Sequence, residues 1–132
     1  MKKITVKIQE SSINEIIGKE RKEIKLFLYE KANIIDVIKK IDKIILRRGN
    51  FPSNHYGCLL HWMYNPVENR FYEQTGIHTS TPLQPYINVR NNPKIELPDN
   101  TTIILLPSDP CASSPDTVLS YNKFLEAMTS TI

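Results

Sequence analysis

All three histidines of this 132-residue chain, His55, His61 and His78, fall in one central stretch, and Cys58 stands between the first two. The spacing of the first three is H-x2-C-x2-H. Imidazole nitrogen and thiolate sulfur are ordinary ligands for zinc and related metals, so these four side chains are the candidate metal ligands. The run CLLHWMY (58–64) that holds two of them reads as a buried strand. On a strand, residues an odd number apart face opposite ways, which would separate Cys58 from His61. The plainer expectation is therefore a buried cysteine in an apolar strand, histidines at its edges, and no bound metal or other cofactor.

Other reaction chemistry is absent from the sequence. There is no nucleophile elbow, no phosphate-binding P-loop and no dinucleotide fingerprint. Asp99, Asp109 and Asp116 sit at turns or a helix start, where structural roles suffice. The chain therefore reads as a non-enzyme. The same central stretch also gathers aromatic residues: Tyr56, Trp62, Tyr64, Phe71 and Tyr72, with Phe51 before them and Tyr86 after. They make either a second small core or a partner-binding surface.

Composition bounds the rest. A chain of 132 residues with 40% hydrophobic and 23% charged residues is one ordinary globular domain by size. No run approaches the roughly 20 apolar residues that span a bilayer. The start, MKKITVKIQESS, turns polar too soon for a signal peptide, so a cytoplasmic protein without a membrane partner is expected. Cys58 and Cys111 are then expected to be reduced. Net charge is +3 but uneven: residues 1–48 hold 13 Lys/Arg against 7 Asp/Glu, and the rest hold 4 against 7. That surplus is a solvated face or, in the alternative, a nucleic-acid contact, although no aromatic platform interleaves with it.

The elements that must position these groups can be read from periodicity. Lys3 to Ile8 alternates as a half-buried strand, and EIKLFLYE repeats the pattern with Ile24, Leu26 and Leu28 inward. SSINEIIG between them is a short helical turn, capped by Ser11 or Ser12 and ended by Gly18. Asn33 caps a helix of about 15 residues whose apolar stripe is Ile34, Ile38, Ile41 and Ile45, with Gly49 as its stop. Past the central stretch, RFYEQ is expected to return as a strand, Thr79 to Pro85 to loop, and YINVR (86–90) to form a strand. KIEL is a short strand, and TTIILLP is a last strand buried on both faces. SSPDTVLSYNKFLEAM predicts a helix capped by Ser114 and started by Pro115, with Val118, Tyr121, Leu125 and Met128 as its apolar stripe and Phe124 beside it.

Two strands, a helix, an inserted stretch at about 49–85 and then a strand, a short strand and a last strand make an α+β domain. YINVRNNPKIELPDNTTIILLP resembles the closing half of the MoaD/ThiS ubiquitin-like family. Ile87-Asn88-Val89 matches a strand there, and Pro98-Asp99-Asn100 a turn in which Gly is usual. Ile103 to Pro107 matches the last strand and its proline exit. Asn is the best substitute for Gly at a left-handed position. The resemblance implies a β-grasp: a mixed sheet with one crossing helix, the first and last strands parallel and adjacent, and here a C-terminal extension at about 108–132. It also implies a sulfur carrier, whose working group is a C-terminal Gly-Gly. That pair is missing, because the only glycines are Gly18, Gly49, Gly57 and Gly76. The expectation is therefore a non-catalytic module, residues 1–132, that docks on another protein. A sulfur carrier of molybdopterin- or thiamine-type pathways is the first alternative, and a nucleic-acid-binding protein the second.

Overall fold

The computed structural model describes residues 1–18, 23–53, 55–108 and 117–129. Its main sheet has four strands in the order β2-β1-β6-β5. β1 (Lys2–Ile8) pairs antiparallel with β2 (Ile24–Leu28), with Ile4 opposite Leu26. It pairs parallel with β6 (Thr101–Leu106), with Val6 opposite Ile103. β5 (Gly76–Ser80) then closes the other edge, antiparallel to β6. First and last strands side by side and parallel, between two antiparallel partners and under a helix, are a β-grasp.

The helix is α2 (Ile34–Arg48), and its boundaries follow from its sequence. The Asn33 side chain accepts the Asp36 N–H at 3.1 Å, and the Asp36 carboxylate accepts the Asn33 N–H at 3.0 Å, a reciprocal cap. Ile34, Ile38, Ile41 and Ile45 are buried in one cluster with Ile4, Val6, Leu26, Ile103 and Leu105. Alternation on the strands and a 3.6-residue repeat on the helix thus meet in one core.

α1 (Ser11–Ile17) ends at Gly18 as the pattern predicts, but its cap is Glu10. The Glu10 carboxylate accepts the Ile13 N–H at 2.8 Å and the Ser12 hydroxyl at 2.5 Å, so the serine serves the cap. The turn at Asn100 takes φ 63°, the left-handed conformation expected of it. Asp99 beside it accepts the Lys3 N–H at 2.7 Å and locks the turn to β1.

Four expectations need correction. CLLHWMY is a helix, α3 (Leu59–Met63), followed by a two-residue strand β3 (Tyr64–Asn65) that pairs with β4 (Arg70–Phe71). A short, mostly apolar run carries no clear period, so length and caps decide: Cys58 is the cap within the run, and the Leu59 and Leu60 N–H groups are met by a side chain from elsewhere in the chain. The strand beside β6 is 76–80, inside the stretch read as insertion, and not 86–90. A Cβ at Gly76 would stand 2.9 Å from the Leu106 Cβ, so glycine is what admits the pairing. In 86–90, Ile87 and Val89 are buried, but this segment gives β5 one backbone bond, Ile87 N–H to the Thr79 carbonyl at 2.9 Å. KIEL likewise forms no strand, and Leu97 instead donates its N–H to the Ala32 carbonyl.

The third correction is β6, which alternates between buried and half-buried residues and ends on exposed Leu106. The other face of the sheet is therefore only half-buried along this strand. The fourth is the C-terminal helix, α4, which spans Tyr121–Thr129. Ser114 and Pro115 lie outside the described residues, and 117–120 are not helical. Phe124 is its buried residue, whereas Tyr121 and Leu125 are exposed. Phe124 is the buried anchor of the helix, with Met128 partly buried against the core and the Tyr121 ring 5.1 Å from His61, so the stripe docks in part.

Candidate functional site

The densest meeting of titratable and aromatic groups lies where α2, α3 and α4 converge. It begins with Asp42, on the half-buried side of α2. Its two carboxylate oxygens accept the Leu59 N–H at 2.8 Å and the Leu60 N–H at 3.1 Å. These are N–H groups that a helix start leaves without partners. Asp42 thus caps α3 from another helix, and the Cys58 thiol adds a third hydrogen bond to it. Burial raises the Asp42 pKa against those three bonds. Burial, then the Asp42 charge, push the Cys58 thiol up to about 12. A thiol so placed is protonated and a poor nucleophile at neutral pH.

His61 is 1% exposed. Its Nδ1 accepts the Gly57 N–H at 3.1 Å, and its Nε2 lies 2.6 Å from the Leu119 carbonyl oxygen. A carbonyl can only accept, so Nε2 carries the proton and the ring is neutral. Burial lowers its pKa further than the Leu119 bond raises it. The rings of Tyr56, Tyr121 and Phe124 surround it, with centroids 5.8, 5.1 and 5.2 Å away. Gly57 is needed here because a Cβ at that position would run into the Tyr121 ring.

The H-x2-C-x2-H spacing therefore does not assemble a ligand set. Cys58 and His61 are one helical turn apart, and the His61 N–H points at Cys58 Sγ at 3.4 Å. Both His61 nitrogens are engaged, His55 is exposed in the preceding loop, and His78 is exposed on β5 beside Tyr86. Among the described residues no group of three or more His, Cys, Asp or Glu is arranged to hold a metal ion. Cys58 is a free thiol, and Cys111 lies outside the described residues.

The aromatic candidates go mostly inward. Trp62, Tyr64, Phe71 and Tyr72 are buried, and Tyr56 is half-buried, stacked on Trp62 at 4.9 Å and 7°. Their burial is that of core residues, and Trp62, Tyr64 and Phe71 belong to the same cluster as α2 and the main sheet, with no separate second core. Two of them also hold the chain after β6. The Trp62 Nε1–H donates to the Ser108 carbonyl at 3.2 Å, and the Tyr72 hydroxyl accepts the Leu119 N–H at 3.0 Å. Together with His61, they fasten both ends of the segment between Ser108 and Leu119.

A cleft of about 460 Å³ opens beside this cluster, lined by Asp42, Leu46, Phe51, Tyr56, Cys58 and Tyr121 among others. Sequence reasoning missed Asp42 and Leu119 as partners of the histidine and cysteine. Asp42 sits on a helix rich in Lys and Arg, where one carboxylate reads as a solvated charge. Leu119 acts through its backbone, which leaves no trace in residue type.

No family model matches the chain, and no curated protein matches it. Among solved structures, a candidate molybdopterin converting factor, subunit 1, from Pyrococcus furiosus aligns over 83% of this chain and 100% of its own, with 19% identity and a TM-score of 0.49. The β-grasp assignment rests on the strand order and pairing of this chain itself. No helix among the described residues is long and apolar enough to cross a membrane.

Proposed function

We propose that this chain is a non-catalytic β-grasp module, an accessory protein that docks on another protein. The observation that carries this reading is how the chain is held at two points after β6. Ser108 and Leu119 are each bonded back, to Trp62 and to His61 and Tyr72 respectively, so at both points the chain is tied to the domain. A carrier needs the opposite, a free arm that enters a partner's active site. The titratable groups agree with a structural role: the Cys58 thiol is held protonated, and both His61 nitrogens are used within the chain. The insertion and the C-terminal segment, which depart most from the family resemblance, are the parts assigned to specificity.

A sulfur carrier is the second reading, favoured by the parallel β1–β6 pairing and the Pro98-Asp99-Asn100 turn that the resemblance rests on. Intact-mass measurement after incubation with an adenylating enzyme and a sulfur donor separates the two. Unchanged mass is expected, and replacement of one oxygen by sulfur overturns the module reading. The nucleic-acid reading is weaker still. Lys40 and Arg48 of α2 donate to the Phe27 and Ile17 carbonyls, which draws two of its cations into the fold. A gel shift that vanishes with added salt would revive it.

A further inference from the structure

The cleft beside His61 has three aromatic side chains and one carboxylate in its lining. Phe51, Tyr56 and Tyr121 stand there with Asp42, around about 460 Å³ of space, a volume within the range of small-ligand sites. The rings are held from behind. Trp62 stacks on Tyr56 at 4.9 Å and 7°, and meets Phe51 edge-on at 6.1 Å and 85°. The Tyr121 ring lies against Gly57, where a Cβ would come within 2.4 Å of it, and 5.1 Å from the His61 ring. Side chains fixed in this way lose little further freedom when a ligand enters.

Asp42 supplies the charge. It is half-buried, and none of the ion pairs among the described residues involves it. Lys43 also lines the cleft, but it is exposed, and adjacent residues of a helix do not face one another. Burial raises the Tyr121 pKa, and the charges of Cys58 and Asp42 add to it, so the carboxylate acts on the opposite wall.

The hydrogen-bonding capacity of Asp42 is, by contrast, nearly used up. The Leu59 N–H, the Leu60 N–H and the Cys58 thiol take three of the roughly four acceptor positions of a carboxylate. A ligand thus meets a negative charge and aromatic rings, with few free acceptors. A primary ammonium has three N–H bonds to satisfy once it leaves water. A quaternary ammonium has none, and is held by charge and by ring faces. Phosphates and carboxylates are repelled by the same Asp42.

We propose that the cleft between α2, α4 and the residues leading into α3 binds a quaternary ammonium group, with Phe51, Tyr56 and Tyr121 as its cage and Asp42 as its counter-charge. The inference goes beyond the docking reading and does not rest on it.

Trp62 is the only tryptophan of the chain, so its emission reports on the Phe51 and Tyr56 walls. The full chain is titrated with choline and with 3,3-dimethyl-1-butanol, which has the shape of choline without its charge, and heats are measured beside emission. N-acetyl-trimethyllysine amide is titrated as well, because such a cation is carried by free small molecules and by methylated lysines of proteins. The tighter of the two cations names the source. Saturable binding is expected, roughly tenfold or more tighter for choline than for the alcohol. Leu46 also lines the cleft and is 74% exposed, so Leu46→Lys should melt as the parent does, set a cation at the mouth and weaken binding about tenfold or more. Asp42→Asn should weaken it too, but it also disturbs the start of α3, so Leu46→Lys is the deciding variant. Equal affinity for choline and the alcohol overturns the proposal. So does tighter binding of ethanolamine than of choline, unchanged affinity in Leu46→Lys, or neither heat nor emission change with either cation. Each of these outcomes leaves the module reading standing, since that reading answers to the mass measurement.

Discussion

His61 donates its Nε2–H to the carbonyl of Leu119, 58 residues further along, and thereby ties the short helix of the central stretch to the chain that follows the last strand. The same ring accepts the Gly57 N–H on its other nitrogen, so it works only when neutral. A second proton would sit where the Gly57 N–H points.

The first prediction is a pH dependence. Burial sets the His61 pKa below its ordinary 6.5, so the unfolded chain takes the proton more readily than the folded one. Its contribution to stability is complete above about pH 6.5 and is lost as pH falls through the lower folded value. Asp42 faces this cluster with the opposite sign. Its raised pKa makes a contribution that is full below its ordinary 3.8 and is lost as pH rises through the folded value. Cys58 and Tyr121, two further titratable neighbours, are both shifted upward and stay protonated throughout. The variant His61→Gln isolates the histidine. Between pH 7.5 and 5.5 the parent should lose stability, read as a falling Tm, whereas the variant starts lower and changes less. Equal slopes for the two would contradict the neutral-histidine tie.

The second concerns Cys58. A thiol held near pKa 12 beside a carboxylate has almost no thiolate at pH 7.5. Alkylation followed by peptide mass spectrometry should leave Cys58 largely unmodified in the folded chain and label it fully in denaturant. Asp42→Ala should speed its labelling, because it strips the cap from Leu59 and Leu60 and loosens α3. The loss of that cap should itself cost about 1–2 kcal/mol. Labelling of Cys58 in the native protein at the rate of a free thiol would show the Asp42 contact to be wrong.

The third concerns α4. Phe124 is 3% exposed, and Leu125 next to it is 43% exposed. Phe124→Ala should therefore destabilise by roughly 2–4 kcal/mol, and Leu125→Ser by less than about 0.5. Urea unfolding of the two variants checks this. A reversal of the two effects would mean that the helix docks by the stripe read from its sequence, Val118, Tyr121, Leu125 and Met128.

What was legible in the sequence follows from where each element finds its partners. β1, β2 and α2 carry their own period and caps, and Ile4, Ile24 and Ile38 fall where alternation and helical spacing place them. α3 was illegible because its cap is a side chain 17 residues upstream, Asp42 to Leu59. β5 was illegible because Gly76 serves Leu106, a fact of pairing and not of propensity. The candidate site was half legible. Cys58 and His61 were singled out by type, but their roles as cap and tie are set by Asp42 and by a backbone carbonyl.

Lys2 supplies the last prediction, and it shows the same limit. Alternation places it on the inward face with Ile4 and Val6, a position that a lysine ordinarily avoids. It is 2% exposed. Its ammonium donates to the carbonyls of Glu30 at 2.6 Å, Ala32 at 2.9 Å and Leu97 at 2.5 Å. Three donors meet three acceptors, so the charge is buried but fully bonded. Burial lowers its pKa against the attraction of Glu30, Glu96, Asp36 and Asp99. The tie joins β1 to the start of α2 and to the segment before β6. Lys2→Met keeps the apolar stem and leaves all three carbonyls without that donor. It should cost roughly 2–4 kcal/mol, more than the apolar gain of the methionine returns. Hydrogen exchange should localise the loss: the Leu97 and Ala32 amides should lose protection ahead of the α2 core. A Lys2→Met protein as stable as its parent would mean that these carbonyls find water at no cost, and that the lysine is a tolerated passenger and not a clasp.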